Sequence, residues 1–275
     1  MNLLQHEPAL RLGCFFAIFF LVAAWEAWAP RRTRDLPRTL RWPNNLGIVL
    51  FNTLTLRLLL PAGAVGAAIT AEKQGWGLLN QAALPSVIEF LLALVIFDLV
   101  IYLQHVMFHA VPALWRLHRM HHADLEFDVT TGARFHPLEI VLSMLLKLAV
   151  IAALGPSAIA VLVFEILLNA LAMFNHGNIR LPARLDQSLR LVLVTPDMHR
   201  VHHSVIPRET NSNFGFNLSL WDRCLGTYRA QPQHGHTKMT IGIDAFRSRH
   251  DLRLDRMLIQ PFRGRTPTYP INRDR

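Results

Sequence analysis

The 275-residue chain has only two cysteines, Cys14 in an apolar stretch near one end and Cys224 near the other. They are not expected to meet, which excludes a disulfide framework and a thiolate metal site. Charge is also scarce: Asp, Glu, Lys and Arg make up 17% of the chain, against roughly 25% in soluble domains. Several catalytic signatures are missing. There is no phosphate-cradling Gly-rich loop, no Ser/His/Asp nucleophile motif and no H-E-x-x-H zinc-protease helix. No E-x-x-H pair occurs, which argues against a carboxylate-bridged di-iron bundle. Flavin, haem and iron–sulfur motifs are absent too, so redox chemistry here needs electrons from outside.

What the chain does have is apolar length. Hydrophobic residues are 52% and mean hydropathy is +0.26. They are gathered in five runs, at 12–29, 46–70, 87–108, 137–154 and 156–174, each near or above the ~20 residues that cross a bilayer. The last two are short and separated by Gly155, so they form either a re-entrant hairpin or two full spans. The first run ends in "WEAWAP" without an A-x-A pattern, and no basic region precedes Arg11; it reads as an uncleaved span. The net charge is +9, and Arg31, Arg32, Arg34, Arg38 and Arg41 crowd the loop after that run, while 71–84 offers only Lys73. The positive-inside rule then makes 31–43 cytoplasmic and the N-terminus external, and counting forward places 109–136 and 175–275 in the cytoplasm.

The second abundance is histidine, 14 residues. "HRMHH" at 118–122 is repeated as "HRVHH" at 199–203. The i, i+3, i+4 spacing places His118, His121 and His122 on one helical face, and likewise His199, His202 and His203. His105 and His109 lie at i, i+4 where the third long run ends. His136 and His176 stand at the two ends of the 137–174 hairpin; His6, His234, His236 and His250 read as peripheral. Eight to ten imidazoles exceed the three or four ligands of one zinc. They suit two six-coordinate first-row ions, and imidazole alone does not choose among iron, copper, nickel and zinc.

The order H-x3-H, H-x2-H-H and, beyond a hydrophobic hairpin, a second H-x2-H-H resembles the fatty acid hydroxylase (sterol desaturase) superfamily. "RFHPLE", "NHGNIRLP" and "HRVHHSVIPRETNSNFGFNLSLWDRCLGTY" are similar to bacterial members. The resemblance covers residues 85–230. It implies a non-haem di-iron centre that uses O2 and two electrons to hydroxylate or desaturate a C–H bond of a membrane lipid, sterol-like, fatty acyl or related. Hydroxylation and desaturation both begin with hydrogen abstraction, so the choice stays open. His105, His109, His118, His121, His122, His199, His202 and His203 correspond to the catalytic box ligands, and His176 completes the set. His136 is either a ligand or an outer hydrogen-bonding partner. The basic cytoplasmic face would draw an acidic electron carrier, a ferredoxin or a cytochrome b5-like protein. No organelle signal is evident, and with the family resemblance this implies a bacterial inner membrane.

The expected fold is therefore an all-α polytopic integral membrane domain with four to five hydrophobic segments and a cytoplasmic histidine-rich catalytic cap. Residues 1–84 hold the N-terminal spans and basic loop, 85–230 the catalytic domain, and 231–275 a basic tail at the membrane surface or disordered. Asp98, Tyr102, His105 and His109 form one stripe of one helix, so Asp98 either orients a ligand, lines the substrate path or packs against a neighbouring helix. Asp197 and Asp222 are further candidates for bonding a ligand's outer N–H. Glu89 and Glu165 are weaker ones. Lys147 is expected to snorkel or to face protein. Arg119 and Arg200 read as structural, and Trp25, Trp28, Trp42, Trp76 and Trp115 as an interfacial belt. Two other classes compete: a membrane haem-binding electron carrier, which needs paired intramembrane histidines, and a divalent-metal transporter, which needs ligands at the bilayer midplane. The histidines sit at one edge in triplets, which disfavours both. Nothing supports nucleic-acid binding.

Overall fold

In hydrocarbon each backbone N–H and C=O must find its partner within its own segment, so apolar runs of this length become helices. The structure, a computed structural model, describes residues 3–82, 84–264 and 268–271, and among them it is all helix and loop with no strand. In chain order come α1 (Glu7–Trp28), α2 (Arg38–Leu59), α3 (Gly63–Gln74), α4 (Leu78–Gln81), α5 (Ser86–Ala110), α6 (Pro112–His122), α7 (Pro137–Leu154), α8 (Ala158–Asn175), α9 (Ala183–Leu189) and α10 (Pro196–His202). Five helical stretches are long and apolar enough to cross a membrane: 4–28, 38–81, 86–110, 137–154 and 158–175.

The second stretch departs from the single span expected at 46–70. It breaks between α2 and α3 at Pro61, because proline disfavours the helical conformation of the residue before it and supplies no N–H. α2 also begins earlier, at Arg38, and its buried residues Arg41, Asn45, Ile48 and Asn52 form a mostly polar stripe. That stripe faces the cap rather than lipid. α7 and α8 contain 18 residues each, about 27 Å of helix.

α8 is the most buried of the five stretches and packs against α1, α3 and α5. Phe97 of α5 stacks on Phe164 of α8 with centroids 5.1 Å apart. The small residues Ala64, Ala68 and Ala71 of α3 are buried and let it close on α7 and α8. Glu165 of α8 takes both Arg11 of α1 and Lys147 of α7; Lys147 thus faces protein. Glu89 accepts the N–H of Ser157 at 2.9 Å, ahead of α8. These two carboxylates therefore join helices. An unpaired charge at that depth would cost several kcal/mol.

The loop after α1 folds back on the cap. Pro30 pairs with Ile179, and Glu126 accepts the N–H groups of Asp35 and Leu36 at 2.6 and 3.0 Å. The basic loop and the histidines accordingly share one side of the bundle. Its arginines are largely neutralised within the protein: Arg31 by Asp197, Arg34 and Arg38 by Glu26, Arg41 by Asp124 and Asp128.

The region after 231 corrects the expectation of a surface or disordered tail. Met239, Ile241, Ile243, Leu252, Met257 and Tyr269 are buried. The alternation in "MTIGID" and the helical spacing in "LDRMLI" supply apolar faces that dock on the cap while the charges point outward. Arg119 donates to the carbonyls of Gln260 and Arg263, and Arg116 to that of Pro261 at 2.6 Å. Cys14 and Cys224 are both free.

Candidate metal centre

α5 carries His105 and His109 one turn apart at its end; Pro112 then opens α6, which carries His118, His121 and His122. Proline at the first helical position sacrifices no hydrogen bond, so the chain turns here without loss. α10 opens the same way, on Pro196 with Thr195 as its cap, and carries His199 and His202, with His203 just beyond. His176 ends α8. All nine rings are at most 3% exposed.

They form two groups, His105, His109, His118, His122 and His202 in one and His121, His176, His199 and His203 in the other, with ligating atoms within 4.8 Å of one another inside each. The triplets are thus not one-sided half-sites; each is shared out. At about 100° per residue, i and i+4 diverge by only about 40°, whereas i+3 lies about 100° from i+4. His118 and His122 therefore point together and His121 elsewhere; His199 and His203 pair while His202 crosses to the other group.

Behind the rings, Nδ1 atoms are held. His105 donates to the Phe214 carbonyl at 2.7 Å, His202 to that of Ser212 at 2.8 Å and His176 to that of Ala172 at 2.7 Å. His118 donates to Glu139 Oε1 at 2.7 Å, His109 to Asn211 Oδ1 at 3.1 Å and His121 to the Arg134 carbonyl at 3.3 Å. With the proton on Nδ1, each neutral ring presents an Nε2 lone pair inward. Burial, reinforced by neighbouring imidazoles, keeps His121, His122, His199, His202 and His203 far below the usual histidine range and His176 down to about 3.

Lone pairs consequently confront one another. His121 and His176 Nε2 stand 3.2 Å apart, His105 and His118 Nε2 3.1 Å, and the Nε2 atoms of His109, His202 and His203 have no hydrogen-bond partner. Two acceptors at such a distance repel unless a cation lies between them. Imidazole–metal bonds of about 2.1 Å put adjacent ligands of a six-coordinate ion roughly 3 Å apart, so the residues fit a metal in each group. Within each group neighbouring rings lie with centroids 4.3–5.1 Å apart, leaving no slot for a porphyrin between them.

Aromatic rings seal the cluster. Phe135 stacks on His121 at 4.4 Å, and Phe216 lies 5.2 Å from His105. Trp115, expected in the interfacial belt, is instead 1% exposed, 4.9 Å from His109 and stacked on Tyr269. Outside the second group, Arg41 bonds Asp124 through two nitrogens at 2.8 and 2.6 Å and Asp128 at 2.5 Å, all buried. That charge holds the Asp124 carboxyl far below its usual range against the opposing cost of burial. Asp124 also accepts from Thr131 at 3.0 Å. The next residue, Gly132, approaches so closely that a methyl there would sit 2.6 Å from the Ala172 carbonyl oxygen that receives His176.

The other candidates stand elsewhere. His136 caps α7, accepting from the Leu138 N–H at Nδ1 and donating from Nε2 to the Leu258 carbonyl; it joins neither group because both nitrogens are engaged. Asp98 accepts from Trp221 Nε1 at 2.8 Å and the Leu218 N–H at 3.3 Å, so it holds the cap to α5 without touching a ring. Asp197 binds Arg31 and Arg200. Asp222 accepts the N–H groups of Phe214 and Gly215 at 2.7 and 2.8 Å, acting on His105 only through the Phe214 carbonyl. His236, read as peripheral, is buried beside Asp197. Glu139 and Asn211 do what Asp98 and Asp197 were expected to do. Glu139 had a signal, three residues after His136 in "RFHPLE", the first-turn position of a helix; Asn211 had none.

Fold and site together define a helical membrane protein whose cap holds a paired histidine cluster built for metal. The chain belongs to the fatty acid hydroxylase family, whose family model matches residues 90–227. It is 30% identical over 157 residues to ornithine lipid hydroxylase OlsE of Rhizobium tropici, covering 57% of this chain and 46% of that one. It is 27% identical to human alkylglycerol monooxygenase over 52% of this chain and 31% of the relative, and 27% identical to rat cholesterol 25-hydroxylase over 52% and 47%. The chain thus spans less than half the length of each of these relatives. No solved structure matches it.

Proposed function

We propose that the chain hydroxylates a C–H bond of a membrane lipid with O2, using two iron ions held by the two histidine groups. The observation that carries this reading is the pair of buried groups with Nε2 lone pairs turned on one another at 3.1–3.2 Å. The relatives' names favour hydroxylation over desaturation, since they are hydroxylases and monooxygenases of lipids. Iron in these groups supplies the redox chemistry: with O2, two electrons and two protons, R–H becomes R–OH and the second oxygen leaves as water.

The chain's own contribution is position and shelter. Glu139, Asn211 and four backbone carbonyls fix which nitrogen carries the proton in six of the nine rings, which leaves their Nε2 free as a ligand. Phe135, Phe214 and Phe216 exclude water from the reacting volume. The site lies at the end of α5, where an apolar tail rising from the bilayer meets the cap. Electrons come from an external carrier; exposed Arg184, Arg208, Arg229, Lys238 and Arg249 favour an acidic one, and a turnover rate indifferent to ionic strength would remove that partner. The cap faces the cytoplasm, in a bacterial inner membrane.

The test is metal analysis of detergent-purified wild type and of a variant combining His121→Ala with His202→Ala, followed by turnover with O2, a reductant and candidate lipids. Two irons per chain, lost in the variant, and a product heavier by one oxygen are expected. A folded wild type with no metal after growth in iron-supplemented medium overturns the reading.

A further inference from the structure

A second cavity-bearing site lies outside the histidine cluster, between the end of α1 and α9. Its volume is about 280 Å³ and its walls include Arg31, Arg180, Asp186, Arg190, Asp197 and His236. That is the size of a polar head rather than of a whole lipid. Three guanidinium groups and two carboxylates line it, and Arg200, buried and paired with Asp197, adds a further positive charge behind the wall. Arg31 is bound by Asp197 at 3.0 Å through both oxygens, and Arg190 by Asp186. Arg180 is exposed, and its guanidinium has no hydrogen-bond or ion-pair partner among the described residues.

The buried wall is unsatisfied as well. His236 is 5% exposed, and neither ring nitrogen has a hydrogen-bond partner; Asp197 Oδ2 stands 3.6 Å from its Nε2. Asp186 is 7% exposed and its Oδ1 is unpartnered, although the other oxygen holds Arg190. Buried polar atoms without partners are rare and call for a ligand or an ordered water. The amides of Gln187 and Gln231 complete the rim.

Depth in the membrane is fixed by backbone pairing. The Arg180 N–H donates to the carbonyl of Ala29 at 2.9 Å and the Arg31 N–H to that of Asn178 at 3.0 Å. Arg31 therefore lies three residues past the end of one spanning stretch, Trp28, and Arg180 five past the end of another, Asn175. Trp28 is 84% exposed, and Leu185 and Leu191 on either side of the cavity segment are 45% and 64% exposed. Exposed Trp and Leu beside arginine at the end of a span mark the headgroup layer.

We propose that this cavity binds the head of a zwitterionic membrane lipid, its oxyanion on Arg180 and its ammonium against the free oxygen of Asp186. The neutral His236 ring, held near 4 by burial, adds one donor and one acceptor. The inference takes its ligand class from the lipid reading above but needs nothing from the metal centre. Since Asp197 lies two residues before His199, a lipid held here stands one layer of side chains from the four-ring group.

The experiment is binding of dihexanoyl-phosphatidylethanolamine to the detergent-purified full chain, followed by native mass spectrometry. Arg180→Gln should weaken it about tenfold or more, the worth of one charge-assisted hydrogen bond, with thermal midpoint and metal content unchanged. Asp186→Asn should weaken phosphatidylethanolamine while sparing dihexanoyl-phosphatidic acid. Binding indifferent to Arg180→Gln overturns the site. Equal binding of dihexanoylglycerol, or competition by inorganic phosphate as strong as by the lipid, overturns the headgroup assignment. Lipid binding without turnover would leave this inference standing and remove the hydroxylase reading; turnover indifferent to Arg180 would do the reverse.

Discussion

The five-ring and four-ring groups are made from the same motifs but are held differently. In the first, His105, His109, His118 and His202 each have an Nδ1 partner, and that of His118 is a carboxylate. In the second, His121 and His176 have backbone carbonyls, and the Nδ1 atoms of His199 and His203 have no hydrogen-bond partner. Outer partners that fix tautomer and ring orientation raise metal affinity. The first group is therefore preorganised and the second owes more of its geometry to the metal itself. Two ions in one cluster need not be equivalent.

The largest effect expected from this contrast is His176→Ala. With four rings reduced to three, the second group should lose its ion while the first retains one, so iron per chain falls from two to one by metal analysis. Loss of both ions would break the comparison by showing a single cooperative site. Next comes Glu139→Gln, which removes the one charged partner and should cut affinity in the first group about 10- to 100-fold, read by chelator competition with the second group unchanged. An equal drop in both would erase the distinction.

The smallest effect concerns pH. Histidines whose rings stay neutral in the fold, His176 down to about 3, take up protons only on unfolding. Below the unfolded value near 6.5 the unfolded chain binds more protons, so stability of the metal-stripped protein falls as pH drops below 6.5. Thermal midpoints between pH 7 and 5 should decline, and in the loaded protein the second group's ion should leave at the higher pH, since two of its rings lack outer partners. A flat profile, or release of both ions together, would count against that ordering.

Eight of the nine clustered rings and the five long apolar stretches could be read from spacing and run length, which are local properties, whereas His176 followed only from the family resemblance. The sharing of each triplet between groups could not, although the angular argument for it uses only helix geometry; a single shared face was the simpler reading. Charged residues were the least legible. Arg41 looked like one more marker of the cytoplasmic side, yet it is fully buried between two carboxylates more than eighty residues away. Asp98 and Asp197 were chosen for proximity in sequence, whereas Glu139 and Asn211 reach the rings from other segments. The tail was misjudged because its charges are as numerous as its apolar residues, while only the spacing of the latter decides what is buried.

The sharing of triplets has a consequence for biosynthesis. About eighty residues separate His122 from His199, and at roughly 5–20 residues per second the α5 and α6 histidines emerge on the order of 4–15 s before their α10 partners. During that interval neither group is complete, and five exposed imidazoles offer an incomplete chelate to whatever divalent ion is abundant. Neither ion's cage can mature before the other's, since α6 and α10 supply both. If the two groups hold metal as proposed, the ions present while the chain is still being made help to decide which metal that is, and expression conditions belong to the chemistry of the site.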